Sequence, residues 1–256
     1  MKTRICLAGA TGWIGTPLAA AIDAADDLEL VAAVSRSKQG ERLGDVAISG
    51  SVAEALAIPS DVFVDYTSAT AVKEHVVAAV NANRHAVVGS SGLSDADYAE
   101  LDALARERKV GVIAVGNFAI AAALMHRFAA EAARHLPSWE IIDYANDAKV
   151  DQPSGTAREL AWRLAQVGTP KTAVPFEESV GPREGRGAVV NGTHIHSVRL
   201  PGYIIGVEVL LGRDDQRLSI RYEGGTSATP YIDGTLLAIR RVGEVRGVVR
   251  GMDSLL

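Results

Sequence analysis

Two short segments of this 256-residue chain carry residue types whose spacing permits chemistry. In Lys149-Val150-Asp151-Gln152-Pro153-Ser154-Gly155-Thr156-Ala157, Ser154 is placed to start a helix, with the backbone N–H groups of Gly155 and Thr156 pointing at an incoming anion. Lys149 adds a cation just upstream. Together these residues make a site for a carboxylate or phosphate; the plainer alternative is a helix cap beside a surface lysine. The second segment is Gly9-Ala10-Thr11-Gly12-Trp13-Ile14-Gly15. Its GxxGxxG spacing is a variant of the dinucleotide fingerprint, in which glycines allow a tight turn and close approach of a pyrophosphate at the positive end of a helix. A tight turn with no ligand is the competing reading, and the position between a predicted strand and helix argues against it.

Ser35 and Arg36 follow the second predicted strand, in Val34-Ser35-Arg36-Ser37-Lys38. NAD-selective sites place a carboxylate there for the ribose 2′-hydroxyl, whereas an arginine accommodates a 2′-phosphate. Two cations and no carboxylate favour NADPH, with NADH as the alternative; solvated loop charges are the competing explanation. Trp13 is suited equally to stacking on a cofactor or packing on the sheet. His194 and His196 share one strand face, but no third ligand has suitable spacing, so no metal is expected. Asp143 and Asp151 read as solvated loop acids. Ser90 and Ser91 lie in the tight loop Gly89–Gly92 with no His–acid partnership for nucleophilic catalysis.

The elements that must hold these groups follow from periodicity. Apolar runs predict strands over 5–8, 28–34, 62–66, 86–89 and 110–115, with helical patterns to residue 24 and over 71–82 and 94–108. This alternation predicts a parallel sheet covered on both faces. Beyond Asn117 the pattern changes to a helix over 119–135, a strand over 139–144, a helix over 154–167 and a surface loop over 168–192. Strands over 193–200, 203–211 and 217–222 follow at a spacing that predicts antiparallel neighbours, and a helix over 231–245 closes the chain. The expected fold class is α/β: a Rossmann-type parallel sheet formed by 1–117 with 223–256, and a second α+β domain, 118–222, with a mixed or antiparallel sheet for substrate binding and oligomerisation.

Composition sets the outer bounds. Apolar residues make up 48% and charged residues 22%, which excludes a disordered or fibrous chain. A net charge of −5 without a cationic stripe gives no invitation to nucleic acid. No apolar run is long enough to span a bilayer, the N-terminus lacks a signal-peptide pattern, and the single cysteine, Cys6, suits a reducing compartment. A cytoplasmic location is expected.

Several of these motifs together resemble the 4-hydroxy-tetrahydrodipicolinate reductase (dihydrodipicolinate reductase) family of lysine biosynthesis. KVDQPSGTA at 149–157 resembles that family's KxDAPSGTA signature, and Gly9–Gly15 its N-terminal glycine loop. Asp65-Tyr66-Thr67 looks like its DFT strand end, Gly89-Ser90-Ser91-Gly92 like its GTTG loop, and Gly116-Asn117-Phe118-Ala119 like its PNFS hinge. His196-Ser197-Val198-Arg199 fits its strand leading towards Glu208. The resemblance implies that Gly9, Gly12, Trp13 and Ile14 hold the pyrophosphate and that Ser35 and Arg36 meet the adenosine ribose. It implies that Gly89, Ser90, Ser91, Val115, Gly116, Asn117 and Phe118 place the nicotinamide, and that Lys149, Ser154, Gly155 and Thr156 hold a substrate carboxylate. It also implies hydride transfer to a small unsaturated molecule between the domains, closure about Asn117 and Tyr222, and a homo-oligomer, a tetramer.

One departure bears on mechanism. The family carries a histidine pair before the lysine, the first being its proton donor. Here Tyr144-Ala145-Asn146-Asp147-Ala148-Lys149 stands there, with Ala145 at the donor position. Tyr222 replaces a further family histidine, and Ser227 stands near an expected arginine. An alanine cannot transfer a proton, and general acid help is typically worth about 10²–10⁴-fold. Three accounts follow: another acid (Lys149, Tyr144 or Tyr222), a proton from water, or a different imine or conjugated C=C acceptor. A catalytically silent NADP(H) sensor is the rival from another functional class, against which the retained anion site argues.

Overall fold

The computed structural model describes residues 2–253 and 255–256. In chain order the elements are β1 (Thr3–Ala8), α1 (Gly15–Asp23), β2 (Leu28–Val34), β3 (Arg42–Leu43), β4 (Val46–Ser49), α2 (Val52–Leu56) and β5 (Val62–Asp65). Next come α3 (Val72–Asn81), β6 (His85–Val88), α4 (Asp95–Arg108), β7 (Gly111–Ala114), α5 (Ile120–Ala133), β8 (Ser138–Ala145) and α6 (Gly155–Ala165). The chain continues through β9 (Ala188–Val190), β10 (Thr193–Arg199), β11 (Ile205–Arg213), β12 (Gln216–Gly224), α7 (Thr229–Arg241) and β13 (Gly247–Arg250). They form two compact units, Met1–Ile120 with Ala228–Leu256, and Ala121–Ser227.

The first unit is built on a sheet of order β13-β7-β6-β5-β1-β2-β4-β3. Every pairing in it is parallel except the short β3–β4 hairpin at the edge. Strands such as VFVD in β5 and GVIA in β7 are buried at every position, as expected for a sheet covered on both faces. Val72, Val76 and Val80 of α3 and Leu101 and Ala105 of α4 pack on Ala86, Val88, Val112 and Ala114. A second cluster sets Val52, Ala55 and Ala79 against Cys6, Ala32, Val34 and Phe63. Ser94 and Asp97 form a reciprocal capping box at the start of α4, and Lys109 ends that helix in the left-handed region. From β1 the chain passes to β2 on one side and later to β5 on the other, so β1 is where the winding reverses. Loops beyond the carboxyl ends of strands at such a point are where open α/β sheets bind ligands.

Cys6 lies wholly buried in β1, and burial pushes its thiol pKa up to about 12. Native protein is therefore expected to resist iodoacetamide, with alkylation appearing only on unfolding; rapid labelling of the folded chain, read by mass spectrometry, would contradict this packing.

The second unit carries a sheet of order β12-β11-β8-β10-β9. Along β8 the side chains alternate, with Trp139, Ile141, Asp143 and Ala145 buried. Helix α6 packs on β8 and β10, burying Ala157, Leu160, Ala161 and Leu164. Trp139 Nε1 donates to Thr193 Oγ1 at 3.0 Å, which satisfies both buried groups.

Two topological expectations need correction. β10 and β11 are not neighbours: β8 lies between them, antiparallel to β11 and parallel to β10. Sequential proximity suggested a hairpin, but the central apolar strand β8 offers a better-buried partner to both. Nor does a helix close the chain, because β13 follows α7 and pairs parallel with β7. Its four residues are too few to show a period. No helix among the described residues is long and apolar enough to cross a membrane.

Candidate active site

The glycine turn leaves β1 beside the end of β5. Gly9 and Ala10 donate their N–H groups to the Val34 carbonyl at 3.0 and 3.1 Å, and Gly12 donates to the Gly9 carbonyl at 2.9 Å. The three glycines are required for different reasons. At Gly9, with φ +81°, a Cβ would lie 2.0 Å from the Tyr66 carbonyl oxygen, and at Gly15 it would lie 2.0 Å from that of Gly9. Both serve the turn itself. At Gly12 a Cβ would meet only the Gly9 oxygen, at 3.2 Å, so the fold asks far less of this position. Helix α1 then begins with no side-chain cap and no acidic residue in its first turn. The N–H groups of Trp13, Ile14 and Gly15 have no acceptor among the described residues. Open donors at a positive helix end, approached over a bare glycine, fit a dinucleotide pyrophosphate.

Ser35 and Arg36 sit side by side in sequence but differ in availability. The Ser35 hydroxyl is buried and lies 2.7 Å from Thr11 Oγ1, which closes the glycine turn onto the end of β2. Thr11 was not anticipated as a member of the site. Arg36 is exposed, while Lys38 is engaged with Glu41 at 3.0 Å. Trp13 packs edge-on against Tyr231 with ring centroids 5.6 Å apart, yet remains 55% exposed.

Beyond β5 and β6 lies a polar cluster that sequence reasoning did not foresee. Asp65 is fully buried and accepts from Thr67 N (3.1 Å), Thr67 Oγ1 (2.9 Å) and Ser90 Oγ (2.5 Å), with His75 Nδ1 at 3.0 Å from its other oxygen. Ser90 Oγ also accepts from Thr67 N at 2.7 Å. The order is serine to aspartate to histidine, with the imidazole away from the hydroxyl, so no nucleophile is activated here. Instead the carboxylate fixes the loops carrying Thr67 and Ser90. Tyr66 is pinned beside Gly89, where a Cβ would lie 2.1 Å from its ring. Thr235 donates to the Tyr231 carbonyl at 2.7 Å, so the Tyr66 hydroxyl is the donor in its 2.6 Å contact with Thr235. Burial raises the Tyr66 pKa and keeps the phenol neutral. Val115, Asn117 and Phe118 are buried, Gly116 is exposed, and the Phe118 ring meets Tyr66 edge-on at 6.0 Å. Asn117 Oδ1 accepts from Ala119 N at 2.9 Å.

In the second unit, Ser154 caps α6 as expected, its Oγ accepting from Ala157 N at 3.3 Å. Gly155 and Thr156 form the first helical positions, Thr156 buried. Lys149 is 31% exposed and its Nζ lies 2.7 Å from Asp151 Oδ1. The reading of Asp143 as a solvated loop acid is overturned, whereas Asp151 does lie on a loop, a quarter exposed and paired with Lys149. Asp143 is wholly buried in β8, where its Oδ2 accepts from Ser154 N at 2.8 Å and from Arg199 Nη2 at 2.8 Å. A signal existed: Asp143 falls on the inward phase of an alternating strand, where a carboxylate must be paired.

Strand alternation also sorts the proposed acids. Tyr144 points to the face opposite Asp143 and Ala145, and its hydroxyl donates to Glu208 at 3.0 Å. Arg221 lies 4.6 Å over its ring, and burial and Glu208 raise its pKa. Tyr222 and Asp143 both pair with Val207, so Tyr222 shares the inward face and is buried. His194 Nδ1 contacts the Arg186 carbonyl at 2.8 Å and His196 Nε2 contacts Glu140 at 2.7 Å, so both histidines serve the sheet.

Comparison with known proteins bears on the family and the fold. Residues 3–118 match the family described as dihydrodipicolinate reductase, N-terminus, and residues 121–256 match dihydrodipicolinate reductase, C-terminus. A 4-hydroxy-tetrahydrodipicolinate reductase of Desulfitobacterium hafniense is 36% identical over 265 residues, covering 100% of this chain and 99% of the relative. One from Moorella thermoacetica is 37% identical over 263 residues, covering 99% and 97%. The solved structure of dipicolinate-bound dihydrodipicolinate reductase from Paenisporosarcina sp. TG-14 superposes with a TM-score of 0.78 at 31% identity, covering 100% of both chains. The chain belongs to the dihydrodipicolinate reductase family.

Proposed function

We propose that this protein is an NADPH-dependent reductase of 4-hydroxy-tetrahydrodipicolinate, acting as a homo-oligomer with the first unit holding the nucleotide and the second the substrate. The observation that carries the reading is the placement of Lys149 a few residues before the N-terminus of α6, where Ser154 caps the helix and Gly155 and Thr156 open it, an arrangement that suits a ligand carboxylate. Bound NADPH supplies the hydride. The N–H groups of Trp13, Ile14 and Gly15 take the pyrophosphate over Gly12, and Arg36 takes the 2′-phosphate. Gly89, Ser91, Val115, Gly116, Asn117 and Phe118 shape the nicotinamide surface, while Ser90 acts through Asp65 to hold that loop. The measurement is NADPH oxidation with freshly prepared hydroxy-tetrahydrodipicolinate; turnover at background level would retire this substrate.

The proton comes from water. Ala145 has none to give, Tyr144 faces the other side of the sheet, and Lys149 is tied to Asp151. Tyr222→Phe is expected to change kcat by less than about threefold, whereas loss of a general acid would cost about 10²–10⁴-fold. A larger drop would identify Tyr222 as the donor.

Arg36→Ala is expected to raise the KM for NADPH about tenfold and leave that for NADH nearly unchanged, since one exposed charge-assisted contact is lost. Equal effects on both cofactors would remove Arg36 from the 2′-phosphate. The alanine at 145 favours one second reading, an acceptor that arrives already activated, such as an iminium ion. A panel of cyclic imines and conjugated carbonyl compounds separates the two, and tight NADPH binding with no oxidation across that panel would instead favour a sensor.

A further inference from the structure

Asp143, Arg199, Asp151 and Ser154 form a network whose centre, Arg199, has no part in the roles assigned above. The Arg199 side chain is only 13% exposed. Its Nη1 donates to the carbonyls of Asp143 (3.1 Å) and Val198 (3.0 Å), and its Nη2 donates to Asp143 Oδ2 (2.8 Å) and the Asp151 carbonyl (2.8 Å). These four bonds use all four terminal hydrogens of the guanidinium, while the fifth, on Nε, is buried without a hydrogen-bond acceptor among the described residues. Asp143 Oδ2 also receives the N–H of Ser154, the residue that caps α6. One guanidinium thus grips the end of β8 and the residue before the Gln152–Pro153 turn, and through Asp143 it reaches the start of α6. Lys149 lies between these anchor points and is tied to one of them by Asp151.

The intervening chain, 146–153, has no regular structure to hold it. Without anchors, ligand binding would have to order this backbone, and that entropy would be subtracted from affinity. A buried carboxylate also needs a partner of opposite charge. A planar fork with divergent hydrogens can serve two carbonyls, a carboxylate and a third carbonyl together; an ammonium with three hydrogens cannot.

We propose that Arg199, acting with Asp143, is a positioning residue that sets Lys149 and the Ser154–Gly155–Thr156 helix start in register for ligand carboxylates before any ligand arrives. This rests on the reading that the Lys149 site holds carboxylates. The probe is dipicolinate, titrated calorimetrically with and without NADPH into the intact protein. Arg199→Lys keeps the charge and loses the fork, and Asp143→Asn keeps an acceptor and loses the charge. Each is expected to weaken dipicolinate binding about tenfold or more and to raise the substrate KM in step, with kcat and the NADPH Kd held within about threefold. A merely structural role would move melting temperature and both ligands together. Folded variants that bind dipicolinate within about twofold of wild type would overturn the proposal.

A second measurement uses the unaltered chain. Amide exchange at Lys149 and Ser154 should be slow in the ligand-free protein, where their N–H groups meet the Asn146 carbonyl at 3.0 Å and Asp143 Oδ2 at 2.8 Å. Exchange at open-chain rates until dipicolinate is added would sink the idea. Wild-type protein that binds no dipicolinate would overturn the carboxylate reading instead, and exchange would then decide the clamp alone.

Discussion

Lys149→Ala is expected to lower kcat/KM by about 10²–10³-fold, most of it through KM, with NADPH binding unchanged. Two effects add. The substitution removes a charge-assisted hydrogen bond to the ligand, worth about 1.5–3 kcal/mol. It also strips Asp151 of its nearer counter-ion and leaves only Arg158 Nη2, 4.0 Å from Oδ2, so an anionic ligand meets a less compensated carboxylate. The pairing makes a further prediction. Lys149→Ala with Asp151→Asn should recover part of the loss, because the repulsion disappears while the attraction stays absent. The result that would refute the assignment is dipicolinate affinity unchanged by Lys149→Ala, measured on variant protein of wild-type melting temperature.

The glycine turn yields the second large effect, in two opposite parts. Gly9→Ala places a Cβ 2.0 Å from the Tyr66 carbonyl in a backbone conformation that side chains rarely adopt. The left-handed geometry alone costs about 1–2 kcal/mol, and relieving the overlap requires moving the start of the loop after β5. A total of roughly 3 kcal/mol or more corresponds to a fall of about 10 °C in the unfolding midpoint. Gly12→Ala should behave differently. Its Cβ needs only a few tenths of an ångström from one oxygen, so the midpoint should move by no more than about 3 °C, at 1 kcal/mol or less. If the pyrophosphate approaches α1 over Gly12, however, the added methyl stands in its way. NADPH affinity should drop about tenfold to a hundredfold, as expected when a phosphate loses close approach to several backbone donors. Calorimetry and thermal unfolding on both variants test the distinction. Parallel losses of stability and affinity in the two would mean that Gly12 serves the turn rather than a nucleotide.

How much of this was legible beforehand depended on whether the signal was local. The strand β2 and the start of α4 at Ser94 were readable to the residue, because an apolar run broken only by Glu29 and a capping box are contained in the segments themselves. Ser154 as the α6 cap was readable for the same reason. The parallel core followed from alternation of element types, whereas the position of β8 between β10 and β11 did not. Pairing order is decided by which strand buries most surface, and that is a property of the assembled sheet. The site showed the same division. Lys149 and the glycines announce themselves by type and spacing. Arg199 lies far along the chain from Asp143, and only the parallel register of β10 on β8 brings the two together. Thr11 and the Asp65 cluster were hidden likewise, since hydroxyl partners across a loop leave no period to detect.

The late position of β13 has a consequence for biosynthesis. Its residues Gly247–Arg250 complete a sheet whose first strand begins at Thr3, and Thr235 of α7 secures Tyr66. On the ribosome, where contiguous domains fold as they emerge, the inserted unit 121–227 can settle first while the earlier-made half waits with an uncovered edge. Completion of the first sheet thereby waits until β13 has been made, and a product interrupted before it would carry a finished second sheet beside a first one whose β7 edge is still open.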